Sequence, residues 1–311
     1  MVSIICNSYN HEKYIKKTLD GFVMQKTKFL FEVLVHDDAS TDSTSEIIRE
    51  YEKKFPNIIK PIYQIQNKYS KNIDINIMYQ YPRVKGKYIA ICEGDDYWID
   101  ENKLQNQVDA LELHPELDMC AHAAYVYSNG KKVSMISPCN NNCILPLEDV
   151  IQGGGGYIAT NSCLYRTELL DTFPEFRKYY NIDYTSQIHG ALRGGILYLS
   201  DYMSVYNYLT PESWSRKAKK NPEFAILNKN KIIQMYKILD MNTEKKYSDI
   251  IKVMILRCQY EIFWYKKEYK KIKGNSNIYS ILSNYEKFKL FIVLKFPKIY
   301  DWLWKKYYNI N

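Results

Sequence analysis

"AICEGDDYW", residues 90–98, sets three carboxylates (Glu93, Asp95 and Asp96) within four positions, directly after an apolar run and directly before two aromatics. The run Tyr88-Ile89-Ala90-Ile91-Cys92 is short, apolar and bounded by polar residues, which predicts a buried strand. Like charges at the end of such a strand raise each other's proton affinity and cost stability unless something positive lies among them. A divalent cation with oxygen ligands meets that need. The stretch therefore predicts a strand that delivers an acidic, cation-seeking turn.

Toward the N-terminus the same pattern recurs twice. "VSIICN" (2–7) is an apolar β-type run followed by the polar turn Ser8-Tyr9-Asn10, and "FEVLVHDD" (31–38) is a second strand ending in paired acids. Between them, Tyr14, Ile15, Leu19, Phe22 and Val23 recur at helical spacing from Glu12 to about Met24, with Asn10 or His11 near the cap. "STDSTSEIIREYEKKF" (40–55) opens a further helix, with Ser/Thr/Asp caps and Ile47, Ile48 and Tyr51 on one face. "IIKPIYQ" (58–64) reads as a third strand, and the polar stretch "NKYSKNIDIN" (67–76) leads into another helix. Strands alternating with helices predict an α/β fold with a mostly parallel sheet. Ligands of such sheets bind outside the carboxyl ends of the strands. Three such ends carry the polar candidates: Asn7 to Asn10, Asp37-Asp38, and Glu93 to Asp96.

Other nucleotide folds lack support. No GxGxxG follows the first strand, no GxxxxGK[ST] is present, and "GGGG" (153–156) reads as a flexible loop. The seven cysteines are odd in number and form no CxxC pair, and "CNNNC" (139–143) has no partners for a zinc site, so reduced thiols in a cytosolic setting are expected. His11, His36, His114, His122 and His189 are scattered and predict no metal cluster. An apolar run begins at Val2, which predicts no signal peptide, and no stretch reaches the roughly 18 apolar residues of a spanning helix.

The net charge of +8 is unevenly spread. Residues 211–311 hold 22 Lys and Arg against 9 Asp and Glu, while residues 1–210 hold 21 against 26. From about residue 218 the chain turns to Lys- and Tyr-rich helical segments. The last of these (285–311) carries six Lys, two acids and Trp302, Trp304, Tyr307 and Tyr308. Such a segment suits the headgroup region of an anionic membrane, although a helical hairpin with a solvated Lys face would have the same composition. No RNA- or DNA-binding motif is visible, so nucleic acid is not an expected partner.

Taken in order, "VSIICNSYNHEKYIKKTL", "VLVHDDASTDST" and "GKYIAICEGDDYW" resemble the successive blocks of family 2 glycosyltransferases with the GT-A fold, over roughly residues 1–215. The resemblance is to the bacterial E-G-D-D-Y-W branch, common among enzymes that build capsule and other surface polysaccharide. It implies a metal-dependent inverting transfer of a sugar from a nucleotide donor, UDP-linked by preference, to a lipid-linked saccharide acceptor at the inner membrane face. By that resemblance Tyr9 stacks on the base with Asn7 beside it, and Asp38 accepts a hydrogen bond from the base. Glu93 stands where the family has an Asp that contacts the ribose. Asp95 binds Mn²⁺ or Mg²⁺ on the diphosphate, while Asp96 orders the site or touches the acceptor. Ser40 or Thr41 suffices to cap the second helix, which leaves Asp38 for a ligand.

The base of the family heads a helix well beyond the metal block. "YYNIDYTSQIHGALRGG" (179–195) occupies that place, which makes Asp183 the candidate, with Ile182 replacing the acid that usually precedes it. Trp98, Trp214 and Arg216 are further candidates for acceptor contact or ordering of the site, and Asn207 and Leu209 fill positions that are basic in the branch. Lys71 reads as solvated. The expected domains are 1–217, catalytic, and 218–311, a basic helical extension. Two alternatives keep their place: a non-catalytic sugar-nucleotide-binding partner of another transferase, favoured by Ile182, and a nucleotidyltransferase, which would carry a Gly-rich basic loop where this chain has "SYNHEKY".

Overall fold

The computed structural model describes residues 1–211, 213–298 and 300, and the chain falls into two compact units, Met1–Arg216 and Lys217–Asn311. The first unit opens with β1 (Val2–Ser8), α1 (Ile15–Val23), β2 (Phe31–Asp37), α2 (Thr44–Lys54) and β3 (Ile59–Tyr63). It continues through β4 (Tyr88–Ile91), β5 (Tyr97–Trp98), α3 (Lys103–Glu112), β6 (Met119–Ser128), β7 (Lys131–Ile136) and β8 (Cys143–Leu145). Then follow α4 (Leu147–Gly153), β9 (Leu164–Arg166), α5 (Glu175–Tyr179), α6 (Asp183–Ala191) and β10 (Ile196–Asn207). Helix α7 (Trp214–Lys220) carries the chain out of this unit.

One sheet runs through the unit in the order β3-β2-β1-β4-β9-β6-β10-β5, with β7 beside β6 and β8 beside β10. Strands β1 to β4 pair parallel, as the alternation of strands and helices requires. Beyond β4 the sheet becomes mixed: β9 runs antiparallel to both β4 and β6, whereas β6 and β10 are parallel. The mostly parallel sheet of the sequence reading therefore holds only for the first half. β9 escaped it because three residues are too few to show a period. Val2, Ile4, Cys6, Val33, Val35, Tyr88 and Ala90 line one buried face, against which α1 lays Ile15, Leu19 and Phe22 and α3 lays Leu104, Val108 and Leu111. Full burial of such side chains contributes about 1.5–3 kcal/mol each.

Three local expectations need correction. The stretch after β3 forms only short turns, a 3₁₀ turn at Tyr69–Lys71, a π-helical turn at Asn76–Gln80 and a 3₁₀ turn at Tyr81–Arg83. Pro82 lacks the N–H a regular helix would use. Gln80, fully buried, turns its side-chain amide to the Cys6 and Leu34 carbonyls and to Asn7 instead. The "GGGG" run is not an open loop, since it ends α4 and makes a 3₁₀ turn at Gly154–Gly156. Asp42, not Ser40 or Thr41, receives the first free N–H of α2, from Thr44 at 3.0 Å.

The second unit is helical: α8 (Pro222–Asn242), α9 (Ser248–Tyr265), α10 (Tyr269–Gly274), α11 (Ser276–Ser280) and α12 (Asn284–Lys295). Tyr260, Ile272, Ile278, Leu282 and Leu290 form its core. Arg257 ties α9 to α12 through a two-pronged bond to Glu286 at 2.8–2.9 Å. Among the described residues no helix is long and apolar enough to cross a membrane. Trp302, Trp304, Tyr307 and Tyr308 lie outside the described residues.

Candidate active site

The three strand ends named from the sequence meet at the carboxyl edge of β1, β2 and β4. Backbone bonds set them side by side, with Asp38 N donating to Ser8 O (2.9 Å) and Gly94 N donating to Asn7 O (2.9 Å). The loops after β1 and β2 are laced by side chains. Asn10 N donates to Ser40 Oγ (3.0 Å), Asn10 Oδ1 accepts from Thr41 N (2.8 Å) and His11 N donates to Thr44 Oγ1 (2.8 Å). Asn10 is thus not a helix cap. It adopts a left-handed backbone (φ 55°), tolerable for Asn, and clips the two loops together.

The acid turn is held from both sides. Thr18 of α1 donates its hydroxyl to the carbonyls of Gly94 and Asp96 (3.0 and 2.6 Å). From β10, Asn207 donates its backbone N–H to Asp96 Oδ1 (2.7 Å) and its side-chain amide to Asp95 O (2.6 Å). Thr210 donates to Asp95 Oδ2 (2.6 Å), while Asp95 Oδ1 makes no hydrogen bond among the described residues. Asp96 is 3% exposed, so it orders the turn. Trp98 is 2% exposed, with its indole N–H on Asn161 O (2.9 Å) and its ring edge-on to Phe22. Burial removes Trp98 from any contact with an acceptor; it anchors the turn from below.

Asp183 is the first residue of α6, where the positive end of the helix favours a carboxylate. It reaches solvent but is hemmed in by protein, and desolvation pushes its carboxyl up, opposed by the Thr160 hydroxyl (3.0 Å) and by the charge of Arg177. Desolvation also pushes Glu93 up, to about 8, helped by the negative charges of Asp183 and Asp95. Burial and Asp95 raise Asp96 well above the usual carboxylate range. Four carboxylates from two distant parts of the chain therefore share one electrostatic field. Perturbation of this kind is concentrated at functional sites.

Asn7 lies at the rim of this cluster, between Asn76 (2.9 Å), Gln80 (3.0 Å) and Glu93 (3.5 Å). Asp38 is 2% exposed, and its two oxygens accept the backbone N–H groups of Lys68 (2.7 Å) and Tyr69 (3.0 Å). It ties the loop after β3 to the end of β2 and keeps one lone pair on each oxygen beyond these two bonds. Tyr9 is half-buried in the turn after β1. Trp214 is exposed at the start of α7, and Arg216, half-buried, is tied back through its N–H to Ser213 Oγ (3.3 Å).

The sequence reading missed Thr18, Asn76, Gln80, Thr160, Arg177 and Thr210. Arg177, 4% exposed, bonds to Tyr81, Asn181 and His189, and its charge acts on the base candidate. None of these carries a local signal, since their partners lie far away in the chain.

Among the described residues no three His, Cys, Asp or Glu side chains converge to ligate an ion unaided. The donor set still fits a hard cation of the Mg²⁺ or Mn²⁺ kind, which takes one or two protein carboxylates and completes its shell with phosphate oxygens and water. Asp95 Oδ1 is the oxygen available to it.

Solved structures define the fold. Staphylococcus aureus TarS (residues 1–349) in complex with UDP superposes with a TM-score of 0.58 over 90% of this chain and 80% of that one, at 18% identity. The mannosyltransferase PcManGT of Pyrobaculum calidifontis, in complex with GDP-Man and Mn²⁺, superposes at 0.55 over 95% and 81%, at 14% identity. The fold is the α/β fold of GT-A glycosyltransferases, followed by a helical C-terminal region. Residues 3–173 match the model of glycosyl transferase family 2, and the chain belongs to that family. An uncharacterised protein of Mycobacterium tuberculosis is 38% identical over 207 residues, 66% of this chain and 58% of its own length. The putative glycosyltransferase EpsE of Bacillus subtilis is 34% identical over 113 residues, 36% of this chain and 39% of its own. The chain thus spans well under two thirds of the curated relatives it matches.

Proposed function

We propose that the protein is an inverting glycosyltransferase that takes a sugar from a nucleotide donor, by preference a UDP-sugar, to a saccharide hydroxyl. The observation that carries this reading is the meeting of Asp183 with Glu93, Asp95 and Asp96 in one field, on the fold of a family defined by that transfer. Asn7 and Tyr9 flank the base, and Asp38 offers its remaining lone pairs to the base N–H. Glu93 faces the ribose. Asp95 holds the cation, Mn²⁺ or Mg²⁺, which when bound neutralises charge on the departing diphosphate. Asp183, its proton affinity raised, takes the proton of the attacking hydroxyl, and attack from the face opposite the leaving group inverts the anomeric centre. Arg216 is assigned to the diphosphate. Similar structures are complexes with UDP and with GDP-Man, which supports a nucleotide-sugar donor.

The acceptor we infer is a lipid-linked surface glycan, met at the inner face of the membrane. Support comes from α12, whose Tyr285, Phe288 and Phe291 recur every third residue and are 73%, 62% and 49% exposed, with Lys287 and Lys295 nearby. Aromatics and lysines together suit an anionic headgroup layer. The proposal is tested by incubating the protein with Mn²⁺ and each of UDP-glucose, UDP-galactose, UDP-GlcNAc and GDP-mannose and measuring nucleotide release with and without extracted glycolipid. Release that requires one donor and rises with acceptor supports the transfer. Release from none of the four, with all components active in a control transferase, argues for the non-catalytic alternative.

A further inference from the structure

A small open pocket of about 130 Å³ lies beside the acid turn. Lys13, Tyr14, Lys17, Tyr97, Tyr127 and Asn207 line it, with Gly130 at the rim. None of the residues assigned above to the nucleotide, the cation or the base is among them. The pocket touches the catalytic machinery at two places only. Tyr97 follows Asp96 in the chain, and Asn207 holds both Asp95 and Asp96 by hydrogen bonds.

The lining has a definite chemistry. Lys13 and Lys17 are both exposed and, among the described residues, neither forms an ion pair with a carboxylate, whereas Lys16 on the same helix is paired with Asp20. Lys17 Nζ stands 5.4 Å from the Tyr97 ring centre, an arrangement that keeps the ammonium over the pocket wall. Tyr14, Tyr97 and Tyr127 are each half-buried, presenting ring faces and hydroxyls together. The rim is fixed by the tight turn between β6 and β7, where Asn129 (φ 51°) and Gly130 (φ 75°) both take the left-handed backbone of a type I′ hairpin. A Cβ on Gly130 would meet nothing within 4 Å, so its need for glycine is conformational and not steric.

Two unpaired ammonium groups beside tyrosine faces match a ligand that combines negative charge with an amphipathic ring. We propose that this pocket binds an anionic sugar unit, a saccharide bearing a phosphate or a carboxylate. Lys13 and Lys17 hold the charge, and the ring packs on Tyr97 and Tyr127. Resting on the proposed function, the ligand is a unit of the acceptor glycan, and its seat beside Asp96 and Asn207 would orient the acceptor chain toward Asp183.

The test is a saturation-transfer NMR titration of glucose 6-phosphate, glucuronic acid, glucose and inorganic phosphate against the full chain and its Lys13→Gln/Lys17→Gln double variant. UDP binding in Mn²⁺ is measured in parallel. Both charged sugars should bind more tightly than glucose and than inorganic phosphate. The double variant should weaken them roughly five- to tenfold, the size of two lost solvent-facing ion pairs, and leave UDP binding unchanged. The tighter of the two charged sugars names the anion, and either order supports the pocket. Glucose binding as well as the charged sugars, inorganic phosphate matching glucose 6-phosphate, or a double variant that binds them like wild type would overturn it. Loss of UDP binding in the double variant would also overturn it, by placing the lysines on the donor. Charged sugars that bind to a protein with no affinity for UDP would sustain the pocket and count against the transferase reading.

Discussion

Side-chain chemistry at the acid turn explains why this site tolerates repulsion that a folded protein ordinarily avoids. Glu93, Asp95 and Asp96 lie on a turn pinned by Thr18 from one side and by Asn207 and Thr210 from the other, so mutual repulsion cannot open it. Gly94 is required within it, because a Cβ there would stand 2.7 Å from both Ser8 Oγ and His11 Nδ1. Gly94→Ala should lower stability by about 1–3 kcal/mol through overpacking, read as a lower midpoint in denaturant with an unchanged slope. Asp183→Asn keeps size and loses basicity, so turnover should fall about 10²- to 10⁴-fold while UDP affinity stays within twofold of wild type. A variant that retains full turnover would remove Asp183 as the base. The acid cluster of the turn was legible in the sequence because it follows an apolar run, whereas Asp183 was reached through the family resemblance. Thr210 and Asn207 reach Asp95 across more than 110 positions, and no local pattern announces such a bond.

Among the secondary-structure elements, α3 carries the least expected residue. Lys103 begins that helix fully buried, with Nζ 3.8 Å from the centre of the Trp98 ring and, among the described residues, no hydrogen-bond partner. Burial pushes its ammonium down to about 7. In the unfolded chain the group titrates near 10.4. Between pH 7 and about 10.4 the unfolded state therefore holds the proton that the folded state has released, and stability from this group rises with pH across that window. Below pH 7 both states are charged and the full penalty of burying the ammonium applies. Lys103→Met should accordingly raise stability by about 1–3 kcal/mol at pH 6, with the gain shrinking as pH approaches 10. Thermal unfolding of both proteins at pH 6, 8 and 10 checks the sign, and a gain that grows with pH would refute it. At this level the sequence was legible where periods are long, as in α1, α2 and the parallel strands, and silent where elements are short. β9 has three residues and the Asn76–Gln80 turn follows side-chain demands, so both depend on partners elsewhere.

For the chain as a unit, a family 2 domain supplies the acidic strand ends and a separate helical unit supplies lysines and exposed aromatics. Charge asymmetry announced the second feature from composition alone, but the exposed row on α12 could not be read from a segment whose apolar residues recur all round the helix. The membrane reading predicts that the protein pellets with vesicles containing anionic lipid and not with neutral vesicles, and that 0.5 M salt reduces the pelleting, since exposed charges are screened within a few ångströms at that strength. Phe288→Ser/Phe291→Ser should reduce it further without altering UDP binding. Equal pelleting with neutral and anionic vesicles would contradict the electrostatic part of the account.

The central claim is that the acid turn is a cation-assisted nucleotide site, and calorimetric titration of UDP into the protein tests it most directly. We predict binding in Mn²⁺, binding weakened at least tenfold with chelator present, and the same loss in Asp95→Ala even when Mn²⁺ is supplied. Binding by Asp95→Ala equal to that of wild type in Mn²⁺ would contradict the claim.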